Sequence, residues 1–413
     1  MHILFITDNF PPEVNAPATR TFEHARAWVE MGARVTVITC APNFPHGRVY
    51  RGYSNRLRGV EYAAGIRVVR VWSYIAANRG FSRRLLDYAS FGAAAFLAGL
   101  FEEADVIVAT SPQFFTTPAG YLLSRCKQKP WVFELRDLWP DSIRTVGAMK
   151  KERVLDWLEK VELFLYRKAD LVVAVTEAFR RNLAARGIRE EKISVVTNGV
   201  DMKTFQGREE KDAALSKRLG LDGRFVVGYT GTHGMAHKLD FIVRAVKNLP
   251  DGSVHFLFIG DGAEKENVRE LAGRLGVANA TFLDPVPKEE VPSYLSVLDA
   301  MLVPLKRADT FKTVIPSKIF EAAAMEKPVL LGVDGQAREI VEGYGAGLFF
   351  EPENEEDFLA QVKRLRADRG LYEELQGGCR RLAMDFDRNR LARSMYDILE
   401  ELVTGSPGRK SYH

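Results

Sequence analysis

Cysteine, histidine and long apolar runs are all scarce in this chain of 413 residues. The three cysteines, Cys40, Cys126 and Cys379, are odd in number and far apart, which speaks against a disulfide framework and against a zinc site. Such usage suits a reducing cytoplasm. The seven histidines are scattered without an HExxH motif or a Cys/His cluster, so no metal cofactor is expected. The lone Asp-x-Asp, Asp385-Phe-Asp387, precedes a helical pattern and reads as a helix start. The most apolar stretch, Leu85–Phe101, has 17 residues and contains Asp87. A membrane-spanning helix needs about 20. A strand pattern begins at His2 and leaves no room for a signal peptide, so a cytoplasmic protein is expected. No internal repeat or low-complexity segment is present.

The formal net charge of +4 conceals an asymmetry. Residues 1–200 carry 28 Lys and Arg against 20 Asp and Glu, whereas residues 201–413 carry 30 against 34. Nine arginines and a single acid, Glu61, fall between Arg48 and Arg84. A face with that bias attracts phosphate groups or an anionic membrane surface. The plainer alternative is a solvated basic loop. Nucleic acid is not expected as a partner, because no helix-turn-helix, zinc knuckle or RNA-binding aromatic motif accompanies the arginines.

Between these gaps, short β-rich runs alternate with helical patterns from end to end. In the first half they are His2–Thr7, Arg34–Cys40, Ile66–Trp72, Asp105–Thr110, Trp131–Arg136, Leu171–Thr176 and Ile193–Asn198. In the second half they are Phe225–Gly231, Val254–Gly260, Ala280–Asp284, Ala300–Leu305, Lys327–Gly332 and Gly347–Glu351. Continuous apolar runs separated by helices predict parallel strands covered on both faces. Two successive sets predict an α/β protein of two doubly wound Rossmann-like domains, each about 200 residues long. The boundaries read as a domain over 1–200, a polar linker over 201–222, a second domain over 223–385, a last helix over 386–405 and a tail over 406–413.

The segment Ile315–Gly332 carries the most chemical information. A short loop enters a helix at Pro316 or Ser317, with Ile319, Phe320, Ala323 and Ala324 on its packed side. Ser317 and Lys318 stand where a helix start offers free N–H groups and partial positive charge, which suits phosphate. Glu321 lies about one turn further on, where a carboxylate can accept from both hydroxyls of a ribose. Phosphate donors beside a diol acceptor make a nucleotide site. A capped helix in an α/β core accounts for the apolar residues but not for the Ser-Lys…Glu set. The turn Gly231-Thr-His-Gly-Met-Ala-His-Lys-Leu-Asp240, after the first strand of the second half, offers further backbone N–H groups for phosphate. In the first half, Arg136-Asp137 follows a strand, where the carboxylate can accept from a sugar hydroxyl and the arginine can hold a charge partner, with a structural ion pair as the alternative. Arg20 opens a helix and either faces a phosphate group or is a surface arginine.

The whole pattern resembles the family 4, or group 1, retaining glycosyltransferases of GT-B fold. The likeness rests on Asn9-Phe-Pro-Pro12, Arg136-Asp-Leu-Trp-Pro140, Ala169-Asp170 with Thr176-Glu177, Asn198-Gly-Val-Asp201, Gly231 to Asp240, and 315–332. Within that family it looks most like bacterial enzymes that transfer amino sugars, such as N-acetylfucosamine, onto lipid-linked polysaccharide intermediates. The resemblance implies two domains facing across a cleft, an acceptor domain first and a nucleotide-sugar domain second, with the last helix crossing back to the first domain.

It also implies a UDP-sugar donor, most readily a UDP-linked N-acetylated hexosamine. The expected donor-binding residues are Gly231, Thr232, His233, Gly234, His237, Lys238, Gly260, Asp261, Val286, Phe311, Lys312, Thr313, Ser317, Lys318 and Glu321. Asp137, Arg136 and Lys318 are the expected catalytic residues. Asn15, Arg20, Arg83 and Arg84 are expected on the acceptor side, toward a polyprenyl-pyrophosphate-linked saccharide at the inner face of the cytoplasmic membrane. Three departures from the family pattern stand out. Asn15-Ala16 replaces a Gly-Gly pair, Thr232 and His237 occupy the places of a diphosphate-binding Arg and Lys, and Thr313 replaces the first of two glutamates spaced eight apart. The rival readings are a UDP-sugar 2-epimerase on the same fold and a nucleotide-sugar-binding protein without turnover.

Overall fold

The computed structural model describes residues 1–13, 15–44, 47–75, 81–111, 113–138, 152–205, 211–249 and 252–405. The chain divides into two compact units, Met1–Thr197 together with the segment from Asn389 onward, and Asn198–Arg388.

The first unit is built on an eight-stranded sheet. Its strands are β1 (His2–Ile6), β2 (Arg34–Cys40), β3 (Arg58–Ala63), β4 (Ile66–Val71), β5 (Val106–Thr110), β6 (Trp131–Leu135), β7 (Leu171–Ala174) and β8 (Ile193–Val195). They lie in the order β3-β4-β2-β1-β5-β6-β7-β8, and every pair is parallel except β3 with β4. Strands β1, β5, β6 and β7 are buried along their whole length, which is why they read as unbroken apolar runs. On one face, Trp28 packs on Phe5 and donates its indole N–H to the Ala392 carbonyl at 2.9 Å. That contact, with Met395, Tyr396 and Leu399, seats the last helix, Arg388–Thr404, in the core of the first unit.

Strand β3 was not expected from the sequence. It is a sheet edge with alternating exposure, joined to β4 through Ala64 and Gly65, both at positive φ. Its charged residues masked the apolar alternation. The same hairpin corrects the reading of the arginine-rich segment. Arg58 and Arg67 both pair with Glu102, at 2.6 and 3.0 Å. Arg70 is buried, pairs with Glu61 at 2.7 Å and donates to the Cys40 and Pro11 carbonyls. Three of the nine arginines therefore hold the fold together rather than face a partner.

The second unit carries β9 (Phe225–Thr230), β10 (Val254–Ile259), β11 (Ala280–Leu283), β12 (Ala300–Pro304), β13 (Val329–Gly332) and β14 (Gly347–Phe349). All are parallel, in the order β11-β10-β9-β12-β13-β14. The stretch expected to be a linker contains the helix Ala213–Leu219, capped by Asp212 and closed by Gly220 at φ 67°. Phe205, Leu215 and Leu221 join the core of this unit, so much of 201–222 belongs to the folded domain. Among the described residues no helix is long and apolar enough to cross a membrane.

Candidate active site

Ligands of open α/β sheets bind beyond the carboxyl ends of the strands, and in the second unit three loops meet there. Beyond β9 the chain turns at Gly231 (φ 117°), and beyond β10 at Gly260 (φ 143°) and Gly262 (φ 157°). The two loops pack backbone to backbone. Gly231 N–H donates to the Ile259 carbonyl and His233 N–H to the Asp261 carbonyl, both at 2.8 Å. A Cβ on Gly260 would overlap the Gly231 carbonyl, and one on Gly262 would meet the His233 backbone. Glycine is required by this close approach as much as by φ.

The third loop, beyond β12, passes through a 3-10 turn at Asp309–Thr313 and enters the helix Lys318–Ala324 after Ser317. Ile319, Phe320, Ala323 and Ala324 are buried, and Phe320 stacks on Phe386 at 4.8 Å. This packing aims Lys318 across to the Gly231 turn. A Cβ on Gly231 would lie 3.0 Å from its Cε and 3.3 Å from its Nζ. The ammonium sits 4.8 Å from the centre of the Tyr229 ring. Burial lowers the Lys318 pKa to about 8, opposed by the Glu321 carboxylate on the same helix.

The structure thus brings Gly231, Thr232, His233, His237, Gly260, Lys318 and Glu321 into one locale, and it corrects several expected roles. His233 is fully buried, and burial lowers its pKa to about 4, with the Lys265 and Lys318 charges adding to the effect. His237 is lowered to about 4 as well, by burial and by Lys318. Both rings are neutral near pH 7, so His237 does not replace the missing cation. The Lys238 ammonium lies within 4.0 Å of Asp240 and 3.9 Å of Glu353. Among the described residues, Lys318 is the cation that packs against Gly231.

Lys312 pairs with Asp309 at 2.8 Å, and the Thr313 hydroxyl donates to the Thr310 carbonyl. Phe311 and Lys312 line a cavity of about 380 Å³ with Arg307, Asp334 and Glu351, whose lining includes none of Gly231, Tyr229 and Lys318. Asp261 is exposed and accepts from its neighbour Gly262 N–H, and Val286 packs on the core edge. One pair escaped the sequence reading. Buried Lys265 donates to Asp284 at 2.5 Å and holds that exposed carboxylate below its usual range.

In the first unit, Arg136 and Asp137 are half-buried at the carboxyl end of β6, with Arg136 N–H donating to the Ser111 hydroxyl. Trp139, Pro140 and Asp141 lie outside the described residues. Asp8, just beyond β1, was missed; burial raises its carboxyl pKa, against the opposing charge of Arg136. Its place after the first strand was the available signal. Two acceptor-side expectations change. Arg20 points inward, 4% exposed, pairs with Glu134 at 3.0 Å and donates to the carbonyls of Val196 and Thr197. Asn15 caps the helix Ala16–Glu30 through Ala18 N–H and donates to Asn9. Arg83 is exposed, and the side chain of Arg84 lies outside the described residues. Among the described residues, no group of three or more His, Cys, Asp or Glu side chains is placed to hold a metal ion.

Residues 15–199 match the family described as a glycosyl transferase 4-like domain, and residues 224–368 the family described as glycosyl transferases group 1. A relative in Escherichia coli (strain K12), named as the colanic acid biosynthesis glycosyl transferase WcaI, is 24% identical over 88% of this chain and 92% of its own. One in Bacillus subtilis (strain 168), named as the teichuronic acid biosynthesis glycosyltransferase TuaH, is 26% identical over 68% of this chain and 70% of its own. Among solved structures, the sucrose-phosphate synthase of Thermosynechococcus elongatus superimposes with a TM-score of 0.79 at 16% identity, covering 98% of this chain and 100% of its own. HepE of Anabaena, in complex with UDP-glucose, gives a TM-score of 0.72 at 19% identity over 97% of this chain and 100% of its own. Likeness at such low identity establishes the fold alone.

Proposed function

We propose that this chain, a glycosyltransferase of GT-B fold whose halves belong to the glycosyl transferase 4-like and group 1 families, transfers a sugar from a UDP-sugar to a lipid-linked saccharide in bacterial surface polysaccharide synthesis. The observation that carries this reading is the Lys318 ammonium held over the Gly231 turn, with Glu321 on the same helix. That arrangement suits a diphosphate joined to a ribose. The complex of HepE with UDP-glucose supports a uridine diphosphate donor, and the names of WcaI and TuaH support a surface polysaccharide as product. The family resemblance favours an N-acetylated hexosamine as the sugar and retention of configuration. An acceptor hydroxyl attacks the anomeric carbon from the face the diphosphate leaves. The new C–O bond forms as the sugar–phosphate bond breaks, and the hydroxyl proton passes to the departing diphosphate.

Incubation with UDP-N-acetylhexosamines and a polyprenyl-pyrophosphate saccharide in detergent tests this. UDP release with a lengthened lipid-linked product is expected. Epimerised UDP-sugar without transfer, or binding without turnover, would replace the reading with one of its rivals. Glu321→Ala should weaken UDP binding as well as turnover, by about 1.5–3 kcal/mol, because the carboxylate grips the ribose in ground and transition states alike. Unchanged UDP affinity in calorimetry would remove Glu321 from the site.

A membrane-bound acceptor is further supported by the distribution of apolar surface. All but three of the exposed large apolar side chains among the described residues belong to the first unit. Leu86, Leu97, Leu122, Trp157 and Phe164 stand on the helices Phe81–Gly99, Thr116–Lys127 and Glu152–Lys168, which all pack on one core. Exposed apolar surface bordered by Arg83 suits an interfacial protein. Binding to anionic liposomes at low salt and release at high salt are expected, each basic residue contributing about 1 kcal/mol. Replacing Arg83 and Arg84 with Glu should reduce that binding and spare UDP affinity. Equal binding to neutral liposomes would assign the arginines another role.

A further inference from the structure

We infer that Tyr229 is a positioning residue of the transfer reaction, its ring face seating the Lys318 ammonium above Gly231 where the donor diphosphate binds. The inference rests on the proposed nucleotide-sugar site and adds to it a group that touches no substrate. Among the described residues the Lys318 ammonium makes no ion pair or hydrogen bond, and it lies 4.8 Å from the Tyr229 ring centre. A carboxylate partner would fix the ammonium but occupy its N–H groups. An aromatic face attracts the cation through its quadrupole and leaves all three N–H donors available to phosphate oxygens.

The seat is rigid. Tyr229 is 1% exposed at the end of β9, and its hydroxyl donates to the Thr232 carbonyl at 2.5 Å. Its ring packs against Phe258, His233 and His237, with centroids 6.4, 5.5 and 5.9 Å away. Gly231 completes it, since a methyl group there would press on the lysine stem. The charged and titratable groups around the ammonium are Glu321 on its own helix and the two neutral histidines of the β9 loop. The ring and the hydroxyl of Tyr229 thus have separable tasks: one holds the cation, the other holds the loop.

A double-mutant cycle separates this role from a merely structural one. Tyr229→Phe keeps the aromatic face and should retain kcat within about twofold of the parent, whereas Tyr229→Leu should lower kcat by about tenfold with a smaller change in the UDP-sugar KM. In a Lys318→Ala background, Tyr229→Leu should change kcat by less than about twofold, because the cation it seats is gone. Melting temperatures of all five proteins, the parent included, are measured alongside. An equal loss from Tyr229→Leu with and without Lys318, or a loss in Tyr229→Phe as large as in Tyr229→Leu, would overturn the role of the ring. If Lys318→Ala alone left kcat unchanged, the fault would lie in the site reading itself, and the positioning role would fall with it.

Discussion

Lys318→Ala is expected to lower kcat by about 10²–10³-fold and to raise the KM for the UDP-sugar far less. Negative charge on the diphosphate grows as the anomeric bond lengthens, so a preorganised cation is worth more in the transition state than in the ground state. Lys238 is engaged by Asp240 and Glu353, and His233 and His237 are neutral. The same lysine predicts a pH dependence. With its pKa lowered to about 8, Lys318 is protonated in roughly nine molecules of ten at pH 7 and in one of ten at pH 9. Only the protonated form serves the diphosphate, so kcat/KM should fall about tenfold between those values. Lys318→Arg should remove that alkaline limb, because a guanidinium stays charged. A rise in KM with kcat unchanged would make Lys318 a uniform binder instead.

Arg20→Ala is expected to destabilise the first unit by about 3–5 kcal/mol, the cost of leaving one member of a buried ion pair alone. Arg20 and Glu134 are 4% and 1% exposed and lie 3.0 Å apart, and the guanidinium also ties the carbonyls beyond β8 to the first helix. Scanning calorimetry should show a melting temperature lower by about 10 °C, with UDP affinity unchanged at temperatures where the protein remains folded. Arg20→Met combined with Glu134→Leu should recover much of the loss, because two apolar groups of similar volume leave no unpaired charge. An unchanged melting temperature with a raised acceptor KM would return Arg20 to the acceptor side.

Much of the architecture is legible in the sequence alone. Strands buried on both faces announce themselves as continuous apolar runs, so β1 and β5 were placed to within a residue or two at each end. The Gly231 and Ile315–Gly332 segments stood out because turn chemistry and helix starts depend on near neighbours in the chain. Edge strand β3 did not, since half of it faces solvent and its charges break the apolar run. The helix Ala213–Leu219 was hidden by the polar stretch around it, although Leu215 anchors it in the core.

The sequence by itself determined which residue types could meet a diphosphate, and where along the chain they lay. It did not determine how each cation would be held. Lys318 stands out at its helix start, but only folding draws Lys238 and Lys312 to carboxylates and holds Lys318 over an aromatic ring. Arg20 shows the same division, its partner Glu134 lying 114 residues away. Local pattern is governed by backbone periodicity and turn geometry, which act over a few residues. The partner of a charge depends on what folding brings within about 4 Å of it, and only the tertiary structure decides that.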